Sequence, residues 1–194
     1  MNMVKIWHAK ETTVQISDAL SSIDTSALLD SQSFSNSSTI TGILKNVTIV
    51  EPEGGIDKQD FLGVDSNNFQ NAELIEKPYD LAKISGTLVL PPKALFDGSN
   101  KSLEYYAYGS GTQVPTGTPT HTRWQAGNGS RNPCAILVNL VSGSDYEVSI
   151  LLNNAYITKL GDRRIGGPDG HWEQDFEAAC LPRDYYVEMI GTST

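Results

Sequence analysis

The stretch from Thr41 to Leu90 limits the folds open to this chain more than any other. It begins with a strand-like run, residues 41–50, Thr-Gly-Ile-Leu-Lys-Asn-Val-Thr-Ile-Val. A polar, Gly-containing segment follows over residues 51–68, and a second strand pattern runs over residues 69–90. In its last part Ala82, Ile84, Gly86, Leu88 and Leu90 alternate with Lys83, Ser85 and Thr87, until Val89 breaks the rule. Period two is the signature of a strand with one buried face. A connection of 18 residues between two strands is unusual. Loops that long inside a compact domain are mostly functional or disordered.

The 194 residues suit one domain with its own core. Charged residues make up 19% of the chain, below the usual level of about 25%. Ser, Thr, Asn and Gly are abundant, as in an all-β protein. The formal net charge is -9. An acidic surface repels phosphate, which argues against tight nucleic-acid binding through a basic patch. It does not argue against a protein that lets DNA pass without sticking. No run of 18 apolar residues is present to make a membrane-spanning helix. The first residues, Met-Asn-Met-Val-Lys-Ile-Trp-His, lack an apolar h-region, so the expected site of synthesis and assembly is the cytoplasm. Cys134 and Cys180 are far apart, in apolar runs, without Cys-x-x-Cys spacing. Two buried thiols are the default, a bridge is the alternative, and a metal site is disfavoured.

Residues 4–17 read as a strand or an extended arm. Residues 18–30 are a candidate short helix, with Ser17 or Asp18 as cap and Leu20 and Ile23 three apart. Residues 1–35 are therefore expected to form an N-terminal arm packed on the core or on a neighbour. Residues 36–194 are expected to form a single β domain. Pro78 inside the second strand pattern marks an edge, a bend or a junction. Residues 103–109 are aromatic-rich, either strand or helical turn, and 109–121 form a Gly/Pro/Thr-rich connection. Residues 134–141 and 146–152 read as a hairpin that continues through 153–160. A turn-rich loop is expected over 161–170. Beyond it Trp172, Gln174, Phe176 and Ala178 share one strand face, and His171, Glu173, Asp175, Glu177 and Ala179 share the other. Residues 185–190 are the last strand.

Nothing in the chain points to catalysis. There is no Gly-x-Ser-x-Gly elbow, Walker loop or His-Glu-x-x-His. The glycines of 161–170 are not followed by a helix, so no phosphate cradle is expected. His171, Glu173 and Asp175 lack a second set of ligands and read better as a solvated face. Glu173 and Asp175 also lie too close for either usual glycosidase geometry. No cofactor, metal or catalytic residue is expected.

The ordered fragments suggest a family. They are Val47-Thr-Ile, Glu51-Pro-Glu-Gly, Asp60-Phe-Leu-Gly, Phe69-Gln-Asn-Ala-Glu, Glu76-Lys-Pro and Gly86-Thr-Leu, then Leu152-Asn-Asn-Ala-Tyr-Ile and Trp172-Glu-Gln-Asp-Phe-Glu-Ala-Ala. In this order, and from residue 41 to about residue 190, the chain resembles the major tail tube proteins of tailed bacteriophages and archaeal viruses. No single fragment is diagnostic. The resemblance implies a mainly antiparallel, all-β fold, a tail-tube-like barrel or sandwich with at most one or two short helices and a long inter-strand loop. The helix that usually flanks the inner barrel has only weak counterparts here, residues 18–30 and 92–106.

The same resemblance implies a structural virion protein that forms stacked, hexameric rings around a channel for viral DNA. Its partners would be itself, tail completion, tape-measure and baseplate or tip proteins, and in some tails a sheath. DNA would pass without specific binding, and no membrane is involved. Glu173, Asp175 and Glu177 become candidates for the channel lining. The 51–68 segment, with Glu53, Asp57, Lys58, Asp60 and Phe61, becomes the candidate ring-stacking loop. The alternative is a β-sandwich binding module, of carbohydrate-binding or adhesin type, with Tyr105, Tyr106, Tyr108 and Trp124 as a sugar platform.

Overall fold

The computed structural model describes residues 11–32, 34, 39–54, 56–61, 71–76, 79–90, 102–114, 121–127, 130–142, 146–165 and 172–191. The strands are β1 (Glu11–Asp18), β2 (Ile40–Val50), β3 (Ile56–Phe61), β4 (Asn71–Glu76), β5 (Ala82–Leu90), β6 (Thr112–Val114), β7 (His121–Arg123), β8 (Cys134–Ser142), β9 (Tyr146–Ile165), β10 (Trp172–Cys180) and β11 (Tyr185–Gly191). Among the described residues one α-helix, α1 (Leu103–Tyr108), accompanies them. The fold is all-β and antiparallel.

Six strands close into a barrel in the order β10, β5, β2, β1, β8, β9, with β9 pairing back to β10. The 20-residue β9 makes this closure. Its first half pairs with β8, up to Ala155 opposite Cys134. Its second half, Tyr156 to Ile165, pairs with β10. Residues 146–152 carry β11 on their other edge. A hairpin was expected here, but not a strand running on to Ile165. The pairing of Arg163 and Arg164 with Gln174 and Glu173 holds that extension in the sheet, where a loop was expected.

Alternation puts the apolar side chains inside. Val14, Ile16, Leu44, Ile84, Leu88, Ile136, Val138, Leu152, Ile157 and Phe176 form one buried cluster. Close-packed burial of this kind is the main favourable term in folding. Cys134 and Cys180 belong to the same cluster as free thiols. Burial raises the Cys134 thiol far above its ordinary pKa and that of Cys180 to about 12. α1 closes part of the interior with Leu103, Tyr106 and Ala107. The Tyr106 hydroxyl donates to Asp18 at 3.3 Å, and the Asn132 backbone and side-chain amides donate to the carbonyls of Tyr106 and Tyr105. α1 overlaps the end of residues 92–106, one of the two weak helix candidates, and lies in the run 103–109 that reads as strand or helical turn.

The candidate helix over 18–30 does not form. Only a 3₁₀ turn at Leu29–Ser31 appears in that region. Side chains take the backbone groups a helix would have used. The Asn153 amide exchanges two bonds with Leu20, at 2.8 and 3.0 Å. The Glu188 carboxylate accepts from the Leu29 N–H at 2.9 Å. Gln32 does the same for Asp24. Such local and long-range side-chain bonds compete with helix. The result is a strap whose Leu20, Ile23, Leu29 and Phe34 cover Ala135, Leu137 and Leu151 on the barrel's outer surface. Residues 4–17 read as a strand or arm, and their described part, 11–17, lies in the barrel strand β1, between β2 and β8.

The segment between β2 and β5 is not a bare loop, because β3 and β4 pair there. The second strand pattern accordingly splits into β4 and β5. Pro78 lies outside the described residues. Likewise the 109–121 connection contains β6, paired with β7.

Gly109 ends α1 with φ 84°, and a Cβ there would meet the Ser130 carbonyl oxygen at 2.5 Å. Gly127 has a similar φ of 81° with open space around it. Gly109, with ψ -165°, lies in a positive-φ region that essentially only glycine adopts, and the backbone strain of an alanine at either site is about 1–3 kcal/mol. Gly109→Ala also forces a backbone clash, so its unfolding midpoint should fall well below that of Gly127→Ala. Equal midpoints in thermal denaturation would show that the Ser130 contact yields freely.

Candidate functional site

Four consecutive strands of the barrel, β2, β5, β10 and β9, form a wall whose outward side chains fall in rows. Val50 lies opposite Lys83, Lys83 opposite Ala179, and Ala179 opposite Tyr156. The next row is Thr48, Ser85, Glu177 and Lys159. A third brings Lys45, Thr87 and Asp175 together, and a fourth Ile43, Val89, Glu173 and Arg164. Phe176 and Ala178 point the other way, into the core. Glu173, Asp175 and Glu177 thus share one outward face, as their spacing predicts.

That face is not the bare acidic surface the strand alone suggests. The Lys45 ammonium sits 3.0 Å from Glu173, and Arg164 reaches Glu173 at 3.6 Å and Asp175 at 2.7 Å. Lys159 sits 3.0 Å from Glu177. The Thr87 hydroxyl donates to Asp175 at 2.6 Å. Three carboxylates on β10 therefore meet three cations, one from β2 and two from β9. The Lys45 hydrogen bond and charge, with Arg164 behind them, hold the Glu173 carboxyl below the usual range. Hydrogen bonding and charge from Glu177 push the Lys159 ammonium up. A shallow groove on this face is lined by Thr87, Lys159, Asp162, Arg164, Asp175 and Glu177. Lys159, Arg164, Asp175 and Glu177 are already committed to one another, so the groove holds no poised acid–base pair. No group of three or more His, Cys, Asp or Glu among the described residues could hold a metal. His171 lies outside those residues.

Register irregularities fall on the two outer strands of the wall. One lies in β2 between Lys45 and Thr48, where Asn46 has φ 53°, and two lie in the β9–β10 pairing. The β5–β10 pairing between them is unbroken. Bulges concentrate at sheet edges, where they bend the strand and raise its twist. Among the described residues β1 covers β2 only at Ile40 to Ile43, and β8 covers β9 only up to Ala155. Among the described residues, no strand covers the outer edge of 44–50 of β2 or of 156–165 of β9. The two strands run antiparallel to each other, because three antiparallel steps separate them.

The candidate stacking residues lie at one end of this wall. Glu53 is exposed, and its carbonyl accepts from the Asp80 N–H at 3.1 Å. Asp57, Lys58, Asp60 and Phe61 lie on β3, opposite Ile75, Leu74, Ala72 and Asn71 of β4. The register runs on almost unshifted from the wall: Val50 opposite Lys83, Glu53 bonded to Asp80, Ile56 opposite Glu76. The described part of the segment, residues 51–54 and 56–61, thus pairs as a hairpin in near-continuous register with β2 and β5.

The aromatic platform is not formed. Tyr106 is fully buried, and Tyr105 and Tyr108 pack against the core cluster. Arg163 and Arg164 diverge. Arg164 joins the outward ladder, whereas Arg163 bonds Gln174 at 2.7 Å, pairs with Glu104 of α1 and lies over the Trp172 ring. Sequence reasoning missed Lys45 and Lys159 as partners of the acidic face. The one available signal was that both sit at outward positions of neighbouring strand patterns.

No protein-family model and no curated protein matches the chain. Several solved structures align over nearly its whole length, three of which follow. A chain of the anti-feeding prophage cap, described as a tube terminating cap, matches at 10% identity and TM-score 0.47, covering 99% of this chain and 95% of that one. A chain of the PVC extracellular contractile injection system sheath–tube complex in the extended state matches at 12% identity and TM-score 0.45, covering 98% and 95%. A chain of the PVC sheath/tube terminator matches at 11% identity and TM-score 0.43, covering 98% and 100%. At these scores the likenesses assign neither family nor activity.

The lowered Glu173 pKa has a defined sign. Its ion pairs stabilise the fold above the unfolded carboxyl pKa, and that stabilisation is lost as pH falls through the lowered folded value. Glu173→Gln should therefore melt below the parent at neutral pH, with the gap closing in acid. A gap independent of pH in thermal scans would show that the Lys45 and Arg164 contacts contribute nothing.

Proposed function

We propose that this chain is the repeating subunit of a tail-type tube, a structural virion protein whose copies form rings, six-membered by the family resemblance, that stack around a channel. The observation that carries the reading is the wall with two open, mutually antiparallel edges. Exposed strand edges promote association, and closing a sheet on itself removes them. Copies joined β2 to β9 continue the antiparallel alternation without a break, so a closed ring leaves no edge in the wall. The outward face of the wall then lines the channel, with Glu173, Asp175 and Glu177 in it. Their pairing with Lys45, Arg164 and Lys159 leaves a polar lining of nearly balanced charge. Such a lining lacks the run of free cations that would hold a polyanion through many phosphates. Viral DNA therefore fits as the cargo that passes without specific binding.

The β3–β4 arm rises from one end of the wall and is placed to reach the next ring. Tail completion, tape-measure and baseplate proteins, and in a contractile tail a sheath, are the remaining partners on this reading. The particle tail, assembled in the host cytoplasm, is its location.

Purified protein should form rings or hollow tubes in electron micrographs, with a matching mass by light scattering. A monodisperse monomer at every concentration tested would sink the proposal. Deleting residues 53–66 should leave the thermal transition of the barrel in place but abolish long tubes. Tubes of parental length from that variant would remove the arm from stacking.

A further inference from the structure

We infer that the seam between neighbouring copies is set by one apolar pair, Val50 of one copy against Tyr156 of the next; this rests on the tube reading above. Both side chains stand exposed on the outward face, at 47% and 45%, and they occupy the two ends of a single cross-sheet row. They are also at the limits of the two open edges. Val50 is the last residue of β2, and Tyr156 is the first residue of β9 beyond the reach of β8. A register that places them opposite each other uses the whole open stretch of β2, residues 44–50, against β9. Sliding β9 in one direction drives the incoming strand into β8, whose pairing runs to Ala155. Sliding it the other way sets Val50 against Thr158 or Lys159, which are exposed and polar. Aromatic against β-branched is among the favourable cross-strand pairs.

The surroundings fit the same partner. Leu81 and Leu181 lie two residues beyond the row, just before β5 and just after β10, and are exposed at 44% and 46%. Tyr79, exposed at 58%, follows on the way to the arm. Five of the nine exposed large hydrophobic side chains among the described residues thus gather at this end of the wall. In a closed ring the row becomes an unbroken belt, with each Tyr156 beside a neighbour's Val50 and the base of its arm. One described group lies along the β9 edge, the exposed Arg131, which donates to the Thr158 carbonyl at 3.2 Å. An incoming β2 takes its place.

Cysteine cross-linking tests the register. Antiparallel neighbours directly opposite lie within the distance a disulfide spans, and the native Cys134 and Cys180 are buried. Tubes of Val50→Cys/Tyr156→Cys protein, oxidised with diamide, should give a covalent ladder on a denaturing gel. A displaced pair, Val50→Cys/Lys159→Cys, should give at least tenfold less. Val50→Lys provides a second readout. It should keep the parental melting temperature while raising at least tenfold the concentration needed for assembly, because Lys side chains blunt an edge. A stronger ladder from the displaced pair, or unchanged assembly of Val50→Lys, overturns this seam while the tube reading stands. If the parent protein forms no rings or tubes at all, the tube reading fails first, and the seam fails with it.

Discussion

A β-strand has two edges, and each position along an edge takes one partner. β9 is 20 residues long, whereas β8 has nine. The far half of β9 is thereby released from β8 and must find other partners. It pairs with β10, which closes the barrel, while β11 fills the outer edge of the near half. Everything later in the structure follows from that split. β10 reaches β5 on its other side, β5 reaches β2, and the wall exists because β9 overruns β8.

The two faces of the wall answer to different physics. The inner face is apolar and close-packed around Phe176, Ile84 and Leu88, with α1 filling the space the strands leave. The outer face is polar, and its order comes from charge. Exposed ion pairs contribute little stability individually, so the ladder of Lys45, Glu173, Arg164, Asp175, Lys159 and Glu177 is better understood as neutralisation than as reinforcement. It turns the most acidic strand of an acidic protein into a nearly balanced surface. A surface of that kind neither holds nor repels a polyanion strongly.

The outer strands and the strap show how the rest of the surface is managed. Bulges sit on β2 and β9, and the regular pairing sits between them. The strap over residues 19–34 covers the outer side of β8 and β9, where Leu137 and Leu151 would otherwise face water. Its polar composition, which disfavours helix, supplies Asp24 and Gln32, which knit it together, while Asn153 and Glu188 pin it to the barrel.

Local pattern made much of this legible. The alternation through 82–90 and 172–179, the hairpin of β8 and β9, and the all-β class can be read from residues because period two depends only on near neighbours in the chain. The splitting of Glu173, Asp175 and Glu177 from Gln174 and Phe176 was visible for the same reason. What could not be read was which strands stand side by side. Lys45 meets Glu173 across 128 residues of sequence, and Tyr106 meets Asp18 across 88. Such pairs depend on strand order and register, and the whole barrel decides those together. The strap shows the same limit, since Ser17 or Asp18 could have capped a helix until Asn153 and Glu188 took its backbone groups. Sequence by itself determined the main barrel strands β2, β5, β8, β10 and the near half of β9, with their two faces. Only tertiary structure decided that the acidic face is neutralised and how far β1 and β8 cover β2 and β9 among the described residues, because charge pairing and edge coverage both belong to neighbours that the chain brings together from a distance.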